Sequence, residues 1–204
     1  MCIRDRSNSS LTYDVIHDIM EKDNQLWVAT DGGGINIISL DDFSFTNIQQ
    51  KQDDVHSFPA NTIYRLYLDS ANNMWAGSIR RGLIGIRNVF ACSYQNVPFG
   101  NLYGLSNQTI NSFFQDSDGM VWVGTDGGGI NRFDPLTGTF KHYPSTMHEK
   151  VVSIVEYTPD ELLFSSFNEG LFIFHKQTGR VRPFVLVDKE TNDRECIDLS
   201  LIHI

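Results

Sequence analysis

A pattern that returns four times, at a period in the forties, constrains this chain more than any other feature. The segments LWVATDGGGINII (26–38), MWAGSIRRGLIGI (74–86), VWVGTDGGGINRF (121–133) and the degenerate LLFSSFNEGLFIF (162–174) stand in register. Their anchors, Trp27, Trp75, Trp122 and Leu163, are separated by 48, 47 and 41 residues. A β-branched residue (Val15, Ile63, Ile110, Val151) lies 12 positions before each anchor. A spacing held constant while the rest of the repeat varies marks a rigid hairpin. In the third repeat, β-branched and aromatic runs alternate with turn residues. Strands are therefore expected over 109–115, 120–125, 130–133 and 139–143, with turns at Asp116-Ser117-Asp118-Gly119, Gly127-Gly128-Gly129 and Asp134-Pro135-Leu136-Thr137-Gly138. Four short antiparallel strands per tandem unit are the signature of propeller blades, and the apolar spacing of a helical solenoid is absent. The expected fold is all-β, a β-propeller fragment with tandem four-stranded antiparallel blades near 11–50, 58–98, 105–145 and 148–187.

The stretch Gln108 to Tyr143, echoed in the other three units, resembles the two-component regulator propeller repeat, as does the linker Gln52 to Asn61. The resemblance covers nearly all of 11–187. It implies a large extracytoplasmic, periplasmic sensor built from propellers, followed by an immunoglobulin-like segment, a membrane span and a histidine kinase, often with a fused response regulator. In many gut and environmental bacteria such sensors are associated with recognising oligosaccharides. The family's ring of about seven blades implies that four would form an open arc, exposing edges and faces that neighbouring blades cover. The implied partners are the remaining blades and the downstream kinase of the same parent, with a homodimeric parent as a further expectation. The fourth unit departs from the pattern: Leu163 replaces Trp, and Asn168-Glu169-Gly170 replaces the triple glycine.

Both ends resemble translated transposon ends of the kind used in sequencing libraries, Met1-Cys2-Ile3-Arg4-Asp5 on one strand and Leu199 to Ile204 on the other. Residues 1–6 and 199–204 are therefore expected to be scar, leaving 7–198 as partial propeller. Removing Arg4, Asp5 and Arg6 moves the net charge from −9 to −10. An acidic chain disfavours nucleic acid and anionic membrane surfaces, which need clustered Lys and Arg. Arg80-Arg81 is the only adjacent basic pair. A hydrophobic content of 41% supports a packed core, and no apolar run approaches the ~18 residues of a membrane helix. Outside the expected scars, Cys92 and Cys196 lie far apart without metal-type spacing and read as buried structural thiols.

The glycine triplets at 32–34 and 127–129 invite a phosphate-loop reading, but neither precedes a helix or a Lys-Ser/Thr step. They read better as tight strand connections. Trp27, Trp75 and Trp122 recur at a fixed strand position and so read as core between blades, with Leu163 in the same place, rather than as sugar platforms. The acidic stretches at Glu21–Asn24, Asp69–Asn72 and Asp116–Gly119 are too short for calcium loops and sit where hairpins turn. The histidines are scattered, and neither HExxH nor GxSxG occurs. No catalytic residue, metal or cofactor is expected.

In an up-down-up-down blade the connections between second and third strands, and between blades, gather at one end. The first kind carries Asp31, Arg80, Arg81, Asp126 and Asn168; the second carries Asn61 and Asn107. These are the candidate ligand contacts, since loops on a rigid scaffold are where binding resides. Taken singly, each also reads as a solvated turn residue. Arg80 and Arg81 are the sharpest candidates because they replace glycines of the equivalent loops, and an arginine pair suits carboxylated or sulfated sugars. The expected function is a non-enzymatic ligand sensor, for an oligosaccharide or other small molecule. The alternatives are a propeller lyase or hydrolase, marked by a convergent His/Glu pair at the loop end, and a protein-interaction scaffold, marked by a broad apolar patch there.

Overall fold

The computed structural model describes residues 11–50, 58–87, 90–94, 101–167, 169–187 and 194–195. The expected scars, the linker residues 52–57, Asn168, Cys196 and the Cys92 side chain lie outside the described residues. The chain divides into two compact units, 1–94 and 95–204.

Unit 1 holds two sheets. The first comprises β1 (Ile16–Lys22), β2 (Gln25–Thr30), β3 (Ile35–Ser39) and β4 (Phe45–Ile48); the second comprises β5 (Ile63–Leu68), β6 (Met74–Ser78), β7 (Gly82–Arg87) and β8 (Phe90–Tyr94). Unit 2 holds β9 (Ile110–Gln115), β10 (Val121–Thr125), β11 (Ile130–Asp134) and β12 (Thr139–His142), then β13 (Val151–Thr158), β14 (Glu161–Ser166), β15 (Gly170–His175) and β16 (Val181–Pro183). A short ribbon of β17 (Leu186–Val187) and β18 (Arg194–Glu195) follows. Each four-stranded sheet keeps sequence order with every neighbour antiparallel, the meander of a propeller blade. Among the described residues no helix is long and apolar enough to cross a membrane.

The second strands are buried throughout in β6 and β10, which is why they read as small and apolar around one large ring. In unit 1, Trp27 and Ile37 of the first sheet pack with Ile63, Leu66, Met74 and Ile84 of the second and with Phe58 of the connection. In unit 2, the Trp122 ring stacks on Tyr143 at 5.8 Å and meets Phe174 edge-on at 5.7 Å. Ile154, Leu162 and Phe164 complete that core. Trp27 and Trp122 thus each face the sheet that follows their own. Trp75 is buried, whereas Leu163 is half-buried at the matching position of β14.

One expectation needs correction. The first pairs of the last three hairpins are Ile63↔Ser78, Ile110↔Thr125 and Val151↔Ser166, but that of the first is Ile16↔Thr30. Ile16, not Val15, is therefore the matching residue, and the first hairpin is one residue shorter. The reason is its two-residue turn, Asp23-Asn24, with φ of 52° and 60°. A turn with both central residues left-handed is the tight hairpin type that Asn and Asp tolerate.

Candidate ligand-binding loops

In unit 1 the β2–β3 loop lies beside the connection into β5. Asp31 pairs with Thr62, and the Ile79 N–H donates to the Thr62 carbonyl at 3.4 Å. Asp31, Thr62 and Ile79 therefore form a continuous backbone ledge. Unit 2 repeats it: Asp126 pairs with Lys150, and the Phe167 N–H donates to the Lys150 carbonyl at 2.9 Å.

The glycine triplets are what make such ledges fit. The N–H groups of Gly32 and Gly34 both donate to the Asn61 carbonyl, and those of Gly127 and Gly129 to the Glu149 carbonyl. A Cβ on Gly33 or Gly128 would overlap the incoming connection at Thr12 or Ser106; one on Gly34 or Gly129 would overlap the outgoing connection at Ile48 or Thr146. Each triplet is squeezed between two connections. The clamp is completed by Asn36 and Asn131, whose side-chain oxygens accept the backbone N–H of Thr12 and Ser106 at 3.1 and 2.9 Å.

The β6–β7 loop departs from this plan. Arg80 occupies the position of Gly32 and Gly127 and has φ +76°, against +119° and +88° for those glycines. A left-handed conformation costs an L-residue roughly 1–2 kcal/mol. Arg80 and Arg81 are both exposed, and the Arg81 N–H is held by Ser78 Oγ at 2.9 Å. Asn61 and Asn107 are engaged in shaping the loops. Asn61 Oδ1 accepts from Gln50 N–H at 2.6 Å. Asn107 donates to the Asp126 carbonyl at 2.7 Å and accepts from Thr109 N–H at 2.9 Å. Asp126 lies 3.3 Å from Lys150 Nζ, whereas Asp31 has His17 Nε2 at 4.0 Å.

The opposite end carries the acidic turns, and there the carboxylates are structural. Asp69 accepts from the Ala71 and Asn73 N–H groups and from the Trp75 indole at 2.9 Å. Asp116 does the same for Asp118, Met120 and the Trp122 indole at 2.7 Å. Burial pushes the Asp69 carboxyl up, but the indole, the Asn73 amide and the turn amides together outweigh it and hold its pKa below the usual range. Lys176 reaches Asp116 at 3.4 Å and also pairs with Glu156, tying the fourth sheet to the third.

Sequence reasoning missed two features at the loop end. The first strand of every sheet carries a β-bulge next to the ledge, at His17, Tyr64, Asn111 and Val152. Bulges re-aim side chains and leave no compositional mark. The Asp126–Lys150 pair was equally hidden, since the two residues are distant in sequence and meet only across the ledge.

Comparison with known proteins places this geometry. The two component regulator propeller family matches residues 57–80 and 104–127. Among curated proteins none matches. The fold is similar to the extracellular domain assigned to a hybrid two component system of B. thetaiotaomicron, at 21% identity and TM-score 0.72, over 88% of this chain and 27% of that one. A second such domain from the same organism aligns at 21% and 0.60, over 88% and 24%. Virginiamycin B lyase from Staphylococcus aureus aligns at 15% and 0.63, over 82% and 54%. The chain spans about a quarter of the first two, 27% and 24% of their lengths. With four meander sheets, two of them bearing the matched sequence, this chain is part of a β-propeller that carries the two component regulator propeller repeat.

Proposed function

We propose that this chain is the ligand-sensing portion of an extracytoplasmic two-component sensor, non-catalytic in itself, which binds an oligosaccharide at the loop end and passes the signal to a kinase elsewhere in the parent protein. The observation that carries the reading is Arg80. A glycine would adopt its left-handed backbone without cost, as Gly32 and Gly127 do. The loop instead presents a guanidinium beside Arg81, a pair suited to a carboxylate or sulfate on a sugar. Asp31 on the adjoining ledge supplies an acceptor for hydroxyls. Asn61 and Asn107 hold the loops in place. Titration calorimetry of the chain with tetragalacturonate tests this: binding should weaken about tenfold or more in the double variant Arg80→Ala/Arg81→Ala. Unchanged affinity rejects the arginine role.

A second reading has one observation in its favour. His17 and Asp31 stand 4.0 Å apart at the loop end, the kind of His/carboxylate pair a propeller lyase would use. Incubation with tetragalacturonate decides it: an unsaturated product that disappears with His17→Ala establishes a lyase, and intact substrate excludes one for that sugar.

A further inference from the structure

We infer that unit 1 contains a subsite for a neutral pyranose ring, walled by Tyr64 and His17 and closed by the Asp31 carboxylate, and that Lys150 blocks the equivalent position of unit 2. The inference rests on the loop-end reading above and deepens it by naming a second part of the ligand.

The two ledges are built alike and finished differently. In unit 2 the middle residue is Lys150, whose ammonium lies 3.3 Å from Asp126 and 5.9 Å from the centre of the Phe167 ring. Carboxylate, ammonium and ring there satisfy one another. In unit 1 the middle residue is Thr62, too short and uncharged to do the same; Asp31 and Asp126 are about equally exposed, and the difference is that Asp31 has no ammonium beside it among the described residues. Its nearest basic group, His17 Nε2, stands at 4.0 Å, beyond hydrogen-bonding distance, and that nitrogen is buried without a partner among the described residues.

The bulge beside the ledge adds the wall. At this position unit 2 has Asn111 and Val152, neither of which carries a ring, whereas unit 1 has His17 and Tyr64 with ring centroids 4.6 Å apart, tilted by 46°. Arg65 fixes the pair. Its guanidinium sits 5.2 Å over the Tyr64 ring and donates to the carbonyls of His17 and Tyr64, both at 3.3 Å. A rigid aromatic wall beside a strong hydrogen-bond acceptor is the complement of a pyranose, which has an apolar CH face and equatorial hydroxyls. Neighbouring strands of the ledge are about 4.8 Å apart, so Asp31 and the Arg80 loop are about 10 Å apart. A ring held at Asp31 and a ring held at the Arg80 loop would then be neighbouring units of one ligand, so the ligand class is an oligosaccharide in which a neutral unit adjoins an acidic one.

The test uses the 204-residue chain and three probes: glucuronoxylotriose (neutral and acidic units), xylotetraose (neutral only) and tetragalacturonate (acidic only). Glucuronoxylotriose should bind tightest. Tyr64→Leu and Asp31→Asn should each weaken glucuronoxylotriose and xylotetraose about tenfold, and Tyr64→Leu should leave tetragalacturonate within about twofold. Asp126→Asn should change none of them, and unchanged thermal unfolding should show that each variant is folded. If Tyr64→Leu and Asp31→Asn bind as the parent does while Arg80→Ala/Arg81→Ala loses the acidic probes, the subsite is refuted and the loop-end reading stands. If none of the three probes binds, both are refuted.

Discussion

Arg80 sets a strained backbone against the ligand contact proposed for it. Its φ of +76° is a conformation that the matching Gly32 and Gly127 hold freely. Arg80→Gly relieves roughly 1–2 kcal/mol of strain, offset in part by the extra freedom glycine gives the unfolded chain, about 0.4–1 kcal/mol. Urea denaturation should therefore show a variant as stable as the parent or up to about 1 kcal/mol more so, and calorimetry a weaker acidic ligand. A clear loss of stability would contradict the strain. The tryptophans offer a paired test. The Trp122 indole donates to Asp116, whereas among the described residues the Trp27 indole N–H meets no acceptor, because the tight Asp23-Asn24 turn replaces the aspartate turn. Trp122→Phe should cost about 1–3 kcal/mol more than Trp27→Phe, the difference being the loss of one hydrogen bond to a buried carboxylate. Equal losses would refute the clasp. Asp69 carries the same logic into pH. Its folded pKa is depressed below the unfolded value of about 3.9, so its contribution is present above that value and lost as pH falls through the folded pKa. Asp69→Asn should destabilise the chain at pH 7 and lose that penalty progressively below about pH 4, as read by denaturation at both values.

At the scale of the element, the loops between second and third strands are where the sequence spoke clearly but incompletely. The triplet in GGGIN was legible as a tight connection, and a steric division of labour within it was not. Gly127 has open space around an added Cβ and needs glycine only for its φ of +88°, whereas Gly128 would overlap Ser106 and Asn107. Gly127→Ala should cost about 1 kcal/mol. Gly128→Ala should cost 2 kcal/mol or more, in the range of overpacked cores at about 1–3 kcal/mol, because the neighbour it meets is the backbone-anchored connection. Thermal unfolding of the two variants checks the order. The first hairpin shows why a constant spacing misled by one residue. Val15 and Ile16 are both β-branched, and only the pairing Ile16↔Thr30, set by turn length, decides between them. The bulges at His17 and Tyr64 could not be read at all, since nothing in residue type distinguishes a bulged position from an ordinary strand position.

For the molecule as a whole, the repeat carried the fold because a large ring recurs where, within each unit, one sheet packs on the next. Trp27 and Trp122 are those rings, and removing Trp122 by Trp122→Ala would cost about 3–5 kcal/mol. What the repeat did not carry is the difference between blades, and the proposed binding rests on that difference: Thr62 against Lys150, Tyr64 against Val152, Arg80 against glycine. The glycine-to-arginine change was legible in the sequence register; the other two gain meaning only from the ledge pairings and the bulges. The central claim is that ligand is taken at the end where the β2–β3 and β6–β7 loops meet the connection into β5. Amide hydrogen exchange of the chain with and without glucuronoxylotriose tests it most directly. Protection should appear at 31–34, 61–64 and 79–82 and leave the opposite turns, 69–73 and 116–120, unchanged; protection confined to those opposite turns, or none anywhere, would contradict the account.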